Sequence, residues 1–365
     1  MKISGGLNQY STGRRSFLKN GVLASSALIT AGWLGGSATA LAQPAHDNSD
    51  NNNELTDGDI AILRFVAAAE ILESDLWTQY AELGGNTNGA LNPYQLAFQN
   101  LDGDATQYIT SNTLDEVSHA EFLNAYLESK GAEPVDLDAF RNLQGSKATG
   151  AQNIGRLTNL MHLNVDTSWY IRYRSTTNPD MGATFPQAIN ITNRTAIPRN
   201  DADMSNKNHI QVIANTAAFH FGTIEQGGSS LYSSLSRKVT SEQALEITIG
   251  IGGDEVAHFL EWVDFAGNSV QPPVAPVSFG GLTFPDFTKK GPLFQPNLIF
   301  PVPCEFLNAK LPHCAIIRPL TDKFGGARAA ATFLTNMNLF DGQPKEFFTT
   351  LNRLADAADA AKRDS

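Results

Sequence analysis

The sequence predicts an all-α protein built on a four-helix bundle, and three observations predict it. The string Asp115-Glu116-Val117-Ser118-His119 returns as Asp254-Glu255-Val256-Ala257-His258, and these two strings hold every Glu-x-x-His in the 365-residue chain. Apolar residues recur at helical spacing through each repeat and through the segment before it. Ten of the seventeen prolines crowd into Val270–Pro319, a density that forbids helix there and sets the end of the bundle.

The chain opens with Arg14-Arg15-Ser16-Phe17-Leu18-Lys19, a mildly apolar stretch from Gly21 to Leu41, and the small residues Ala40-Leu41-Ala42. This resembles a twin-arginine export signal, which implies a signal peptide over 1–42, cleavage after Ala42, and a periplasmic or secreted destination. Cleavage would remove Lys2, Arg14, Arg15 and Lys19 and no acid, making a chain of net charge −11 more acidic still. Such a chain has no electrostatic case for nucleic acid or anionic membrane. No stable membrane insertion is expected after cleavage. Residues 43–57, rich in Asn and Asp, read as a flexible linker.

Bundle character is expected over 58–268. A helix runs from Asp59 to Leu83 and stops at Gly84-Gly85, and a second from Asp104 to Lys130 stops at Gly131. A short helical piece over Asp136–Leu143 and a longer one over Gln152–Arg174 follow. An insertion at 176–208, with three prolines and many Asn and Thr residues, reads as a long loop. Helix returns over His209–Ser236 and, after the N-cap signal Thr240-Ser241-Glu242, runs to about Phe265. Residues 269–319 form a Pro-rich segment expected to wrap the bundle as extended chain with short β pieces. Two C-terminal helices are expected within 320–365. Cys304 and Cys314 can bridge in an oxidising compartment or stay reduced. A metal site of Cys304, His313 and Cys314 lacks a fourth ligand.

Residues at i and i+3 share one face of a helix. Glu116 with His119, and Glu255 with His258, can therefore each grip one ion. Two such helices, each partnered by a helix carrying another Glu, make a carboxylate-bridged two-metal site. The helix before the first motif offers Glu70 and Glu73, on an inward stripe of Ile62, Val66, Trp77 and Tyr80. A buried carboxylate needs a partner, and Arg64 lies on the wrong side to be it. Before the second motif, Glu225 is the sole acid between Asp203 and Glu242. Glu70 to Trp77, Glu73 to Tyr80 and Glu225 to Tyr232 share a seven-residue spacing, so the chain repeats a plan.

These residues carry a family resemblance. Glu70-Ile71-Leu72-Glu73 with Trp77, Glu225 with Tyr232, and the two Glu-x-x-His motifs resemble the ferritin-like superfamily over about 58–268. Within it, they resemble the exported proteins that include the desiccation-related proteins. The resemblance implies a ferritin-like four-helix bundle with Glu70 as first-helix ligand, Glu73 being the alternative or an additional one. It further implies bridging Glu116 and Glu255, His119 and His258 each capping one ion, and terminal Glu70 and Glu225. Four carboxylates and two imidazoles suit two iron ions, with manganese the alternative and zinc less suited. The implied partners are metal ions and small oxidants, and a homo-oligomer is left open.

Three roles are compatible with such a site. One is redox enzymology, either ferroxidase or oxidase chemistry or manganese catalase-like peroxide dismutation. The second is metal storage, and the third a stress-protective or structural role with a non-catalytic site. Trp77, Tyr80 and Tyr232 are either electron donors or core aromatics. His162, His209 and His220 read as satisfied or surface histidines, His220 lying near enough to Glu225 to support it. No Gly-rich nucleotide loop and no Gly-x-Ser-x-Gly elbow is present.

Overall fold

The computed structural model describes residues 54–178, 185–296, 300–316 and 325–363. The export signal and nearly all of the 43–57 linker lie outside these residues. Helix α1 (Asp57–Gly84) starts at a capping box in which Thr56 and Asp59 satisfy each other's backbone amides. The short helix α2 (Pro93–Gln99) was not expected. Its signals are local, because Asn92 and Gln95 form a second capping box and Pro93 needs no donor at the first position. Helix α3 (Ala105–Ser129) carries the first repeated motif and packs along α1.

The crossover from α3 to the second helix pair differs most from expectation. The piece at 136–143 shrinks to a single 3-10 turn, Asp138–Phe140. The helix expected over Gln152–Arg174 is mostly extended: β1 (Leu143–Gln144) pairs β2 (Gly155–Arg156), and β3 (Leu163–Val165) pairs β4 (Ile191–Arg194). Helix survives only as α4 (Ser168–Arg172). Tertiary partners override the helical spacing. The buried Asp75 carboxylate on α1 accepts from Leu157 N at 3.1 Å, Thr158 N at 3.0 Å and the Thr158 hydroxyl at 2.7 Å. Those amides are thereby withheld from a helix. A Cβ on Gly155 would stand 1.9 Å from the Arg141 carbonyl oxygen, so that strand needs glycine. The long loop thus carries β4 and a 3-10 turn at Asp201–Met204.

Helix α5 (Lys207–Leu235) begins at the Asn206 cap and is buried along nearly its whole length. Helix α6 (Glu242–Asn268) begins, as expected, at Ser241, whose hydroxyl accepts from Ala244 N at 3.1 Å. Asp59, already the capping acid of α1, also accepts from Thr240 N and Ser241 N, which joins the start of α1 to the start of α6. The two pairs α1–α3 and α5–α6 form the bundle. An aromatic seam of Trp77, Tyr80, Phe221 and Trp262 fills the space between them.

In the Pro-rich segment, β5 (Val277–Phe279) and β6 (Leu282–Phe284) form a hairpin that packs on α5. Its two-residue turn places Gly280 and Gly281 at φ 56° and 81°, the left-handed region that glycine enters without cost. Cys304 and Cys314 sit opposite each other, with reciprocal backbone hydrogen bonds of 3.0 Å. Helices α7 (Ala327–Asn336) and α8 (Lys345–Ala360) pack on each other, and α8 lies against α1.

Candidate metal centre

Each bundle helix brings acids or imidazoles to one region of the core. On α1 the stripe from Ile62 to Tyr80 is buried, and it carries Glu70 and Glu73 inward with it. Glu116 and His119 on α3, Glu225 on α5, and Glu255 and His258 on α6 are buried as well. All seven residues proposed from sequence therefore face the core. Potential ligand atoms of Glu70, Glu116, His119 and Glu255 lie within 4.8 Å of one another, as do those of Glu116, Glu225 and His258. These are groups that could hold a metal ion, and Glu116 belongs to both. Glu73 belongs to neither, although its carboxylate is buried beside them.

Both imidazoles turn Nδ1 toward the carboxylates. His119 Nδ1 is 3.4 Å from Glu70 Oε2 and 3.4 Å from Glu116 Oε2. His258 Nδ1 is 3.1 Å from Glu116 Oε1 and 3.3 Å from Glu225 Oε2. Glu116 thus presents one oxygen to each half. On the outer side the pairing crosses over: His119 Nε2 meets Asp254 at 3.3 Å, and His258 Nε2 meets Asp115 at 3.2 Å. The Asp of each repeated motif lies nearest the His of the other motif, Asp254 also reaching His258 Nε2 at 3.7 Å, and these contacts hold Nδ1 inward.

Burial dominates the electrostatics. It raises Glu70 to about 7 despite help from His119, and it raises Glu73 and Glu255 well above the usual carboxylate range, with neighbouring carboxylates adding to the effect. Burial alone would lower both imidazoles. The Glu116 and Glu70 carboxylates outweigh it and lift His119 to about 10. Glu225, Asp115 and Glu116 likewise raise His258.

The aromatics two turns past each glutamate are all buried. The Tyr232 hydroxyl donates to Glu70 Oε1. Trp77 Nε1 has no hydrogen-bond partner among the described residues, and Tyr80 bonds His220 Nδ1 at 2.8 Å. His220 therefore engages Tyr80 rather than Glu225, and burial lowers it to about 3, which keeps it neutral.

The sequence profile described as ferritin-like domain matches residues 58–262. The chain belongs to the ferritin-like domain family. Comparison with curated proteins and with solved structures found no match.

The donor set of this ferritin-like chain fits bound metal. Both oxygens of Glu255, with Glu70 Oε2, Glu73 Oε2 and Glu225 Oε2, are buried without a hydrogen-bond partner among the described residues. No Lys or Arg forms an ion pair with any of the five central glutamates there. Leaving a buried carboxylate uncompensated costs several kcal/mol (roughly 3–5), and a cation held by these oxygens would remove that cost.

Sequence reasoning missed four contributors. Asp115 and Asp254 stood in the repeated string, and their repetition was the available signal, but the crossed pairing appears only in three dimensions. Asn112 donates to Glu116 Oε1 at 2.8 Å and Glu225 Oε1 at 3.2 Å, and it accepts from Trp262 Nε1 at 2.6 Å. Gly228 leaves room for a ligand, since a Cβ there would lie 1.9 Å from Glu255 Oε2.

Proposed function

We propose that this ferritin-like protein is exported and binds a carboxylate-bridged pair of metal ions, with iron favoured, for redox chemistry on oxygen or peroxide. The observation that carries the reading is Glu116, whose two oxygens face His119 and His258 at 3.4 and 3.1 Å. A carboxylate shared by two imidazole-bearing groups suits two ions better than one. Glu70, His119 and Glu225, His258 would hold one ion each, with Glu116 and Glu255 between them. When bound, such a pair would supply electrons to oxygen or peroxide as the oxidant, or take them from ferrous iron, peroxide or another small reductant.

The chain's own residues do the rest. Asp115 and Asp254 hold the imidazole Nε2 protons and keep Nδ1 inward. Asn112 orients Glu116 and Glu225, and the Tyr232 hydroxyl orients Glu70. Trp77, Trp262 and Phe221 exclude water from the side of the site within the bundle. Export rests on Arg14-Arg15 and the stretch after it, a route that carries proteins already folded.

Metal analysis of protein grown in iron- and manganese-replete medium tests the reading, with about two ions per chain expected. A metal-free product, unchanged by Glu116→Ala with Glu255→Ala, would sink it. Peroxide added to the iron- and manganese-loaded forms then separates oxidase chemistry from oxygen-releasing dismutation. Inertness of both forms would favour a stress-protective or structural role.

A further inference from the structure

A cavity of about 680 Å³ opens between α3 and α6, and the metal-facing His119 and the half-exposed Asp254 are among its lining residues. Pockets that hold small organic molecules typically run about 300–1,000 Å³. One wall is aromatic: Phe122 and Tyr126, one helical turn apart on α3, lie 18° from parallel with centroids 6.1 Å apart. Phe122 is 51% exposed, while Tyr126 packs against the core. The opposite wall is Ile247 and Ile251 on α6.

Two glycines leave this cavity open. Gly250 and Gly253 line it from within α6, and a Cβ built on either meets nothing within 4 Å. Each glycine in a helix interior costs about 1 kcal/mol relative to alanine. Their neighbour Gly252 has a packing reason, since its Cβ would press on Tyr232 Cβ at 2.7 Å. Gly250 and Gly253 have no such reason, and what they provide is the space itself.

The lining also selects by charge. Its acids are Glu246 and Asp254, its one basic side chain is His119, already engaged by Glu70, Glu116 and Asp254, and no Lys or Arg among the described residues lines it. Lys130 stands over the Tyr126 ring at 5.5 Å but outside the lining. The Tyr126 hydroxyl and the Gln243 side chain, bonded at 2.9 Å, supply neutral polarity.

We infer that this cavity binds a small, flat aromatic molecule without negative charge, lying on Phe122 and Tyr126 with its leading edge at His119 and Asp254. The inference rests on the proposed metal centre and names the class of organic molecule that would reach it. Binding is tested on the purified full chain with 2-naphthol, followed by its fluorescence, and with the anion 2-naphthoate as the counter-probe. Saturable 2-naphthol binding is expected, with at least tenfold weaker binding of 2-naphthoate. Gly253→Leu and Gly250→Leu fill open space, so both chains should melt no lower than the parent and lose 2-naphthol at least tenfold. Ile249→Ser, at an exposed residue outside the lining, should leave binding unchanged.

No saturable binding by the parent chain, equal binding of the two probes, or binding that survives both glycine substitutions would each overturn the inference. Metal content measured on the same samples keeps the two readings apart. Two ions per chain without probe binding sinks the cavity alone, whereas probe binding to a chain that takes up no metal sinks the centre.

Discussion

The two halves of the centre share a plan, and three of the matched positions at which they differ bear on the site. Superposing Glu70 on Glu225 along the sequence places Glu73 opposite Gly228, and superposing the repeated motifs places Asn112 opposite Ile251 and Leu123 opposite Trp262. In the α1–α3 half the extra room is filled by a further carboxylate, Glu73, and by an amide that ties Glu116 to Glu225. In the α5–α6 half the same places hold a bare backbone and an apolar side chain on the open cavity. The repeated pattern supplies the candidate ligands, and the differences give one side of the site a polar brace and the other an apolar residue on the cavity.

The largest break in this comparison comes from the residue common to both halves. Glu116→Ala should empty the site of both ions in metal analysis, whereas His119→Ala should chiefly weaken its own half. Equal and independent loss in the two variants would mean that the halves do not share Glu116.

Next in size is Gly228→Ala. Its Cβ would strike the far end of the Glu255 side chain, which can move, so the helix should survive in circular dichroism. Metal affinity should fall about 10–100-fold, the range for displaced support of a ligand. Gly253→Ala, in open space, should leave affinity unchanged.

Asn112→Leu makes the first half resemble the second at this position. It strands Trp262 Nε1 and Glu225 Oε1, while Glu116 Oε1 keeps His258 Nδ1, at a cost of about 1–3 kcal/mol per unsatisfied buried group. A fall of several degrees in Tm is expected in thermal melts. Unchanged melting would show that the brace contributes nothing.

A subtler contrast lies in pH. Glu70, raised to about 7, stabilises the metal-free fold below the ordinary carboxyl value of 4.5, and that contribution is lost as pH rises through about 7. His119, raised to about 10, likewise contributes below 6.5 and loses its contribution as pH rises through about 10. Chelated protein should therefore melt lower at pH 9 than at pH 6. Metal must displace these protons, so affinity should rise over the same interval and the gap in Tm between loaded and chelated protein should widen. The smallest effect is expected for Glu73→Gln, which should leave metal stoichiometry intact and stabilise the chelated protein at alkaline pH. Loss of one ion would instead make Glu73 a ligand.

What could be read from the sequence divides along the same physical line. The four bundle helices and the ligand-bearing faces follow from local periodicity, which sets where each side chain points whatever its neighbours. The crossover did not follow, because Asp75, eighty residues away in sequence, decides that Leu157 and Thr158 are extended. Asn112 and Gly228 were silent for a related reason. One acts across three helices and the other by having no side chain, and neither leaves a mark in spacing.

The crossed bonds of Asp254 to His119 and of Asp115 to His258 make the two motifs inheritable only as a set. A change that retunes one imidazole can therefore begin with the aspartate of the facing helix. Chimaeras that graft a foreign second half onto this first half would bring the wrong acid to the right histidine.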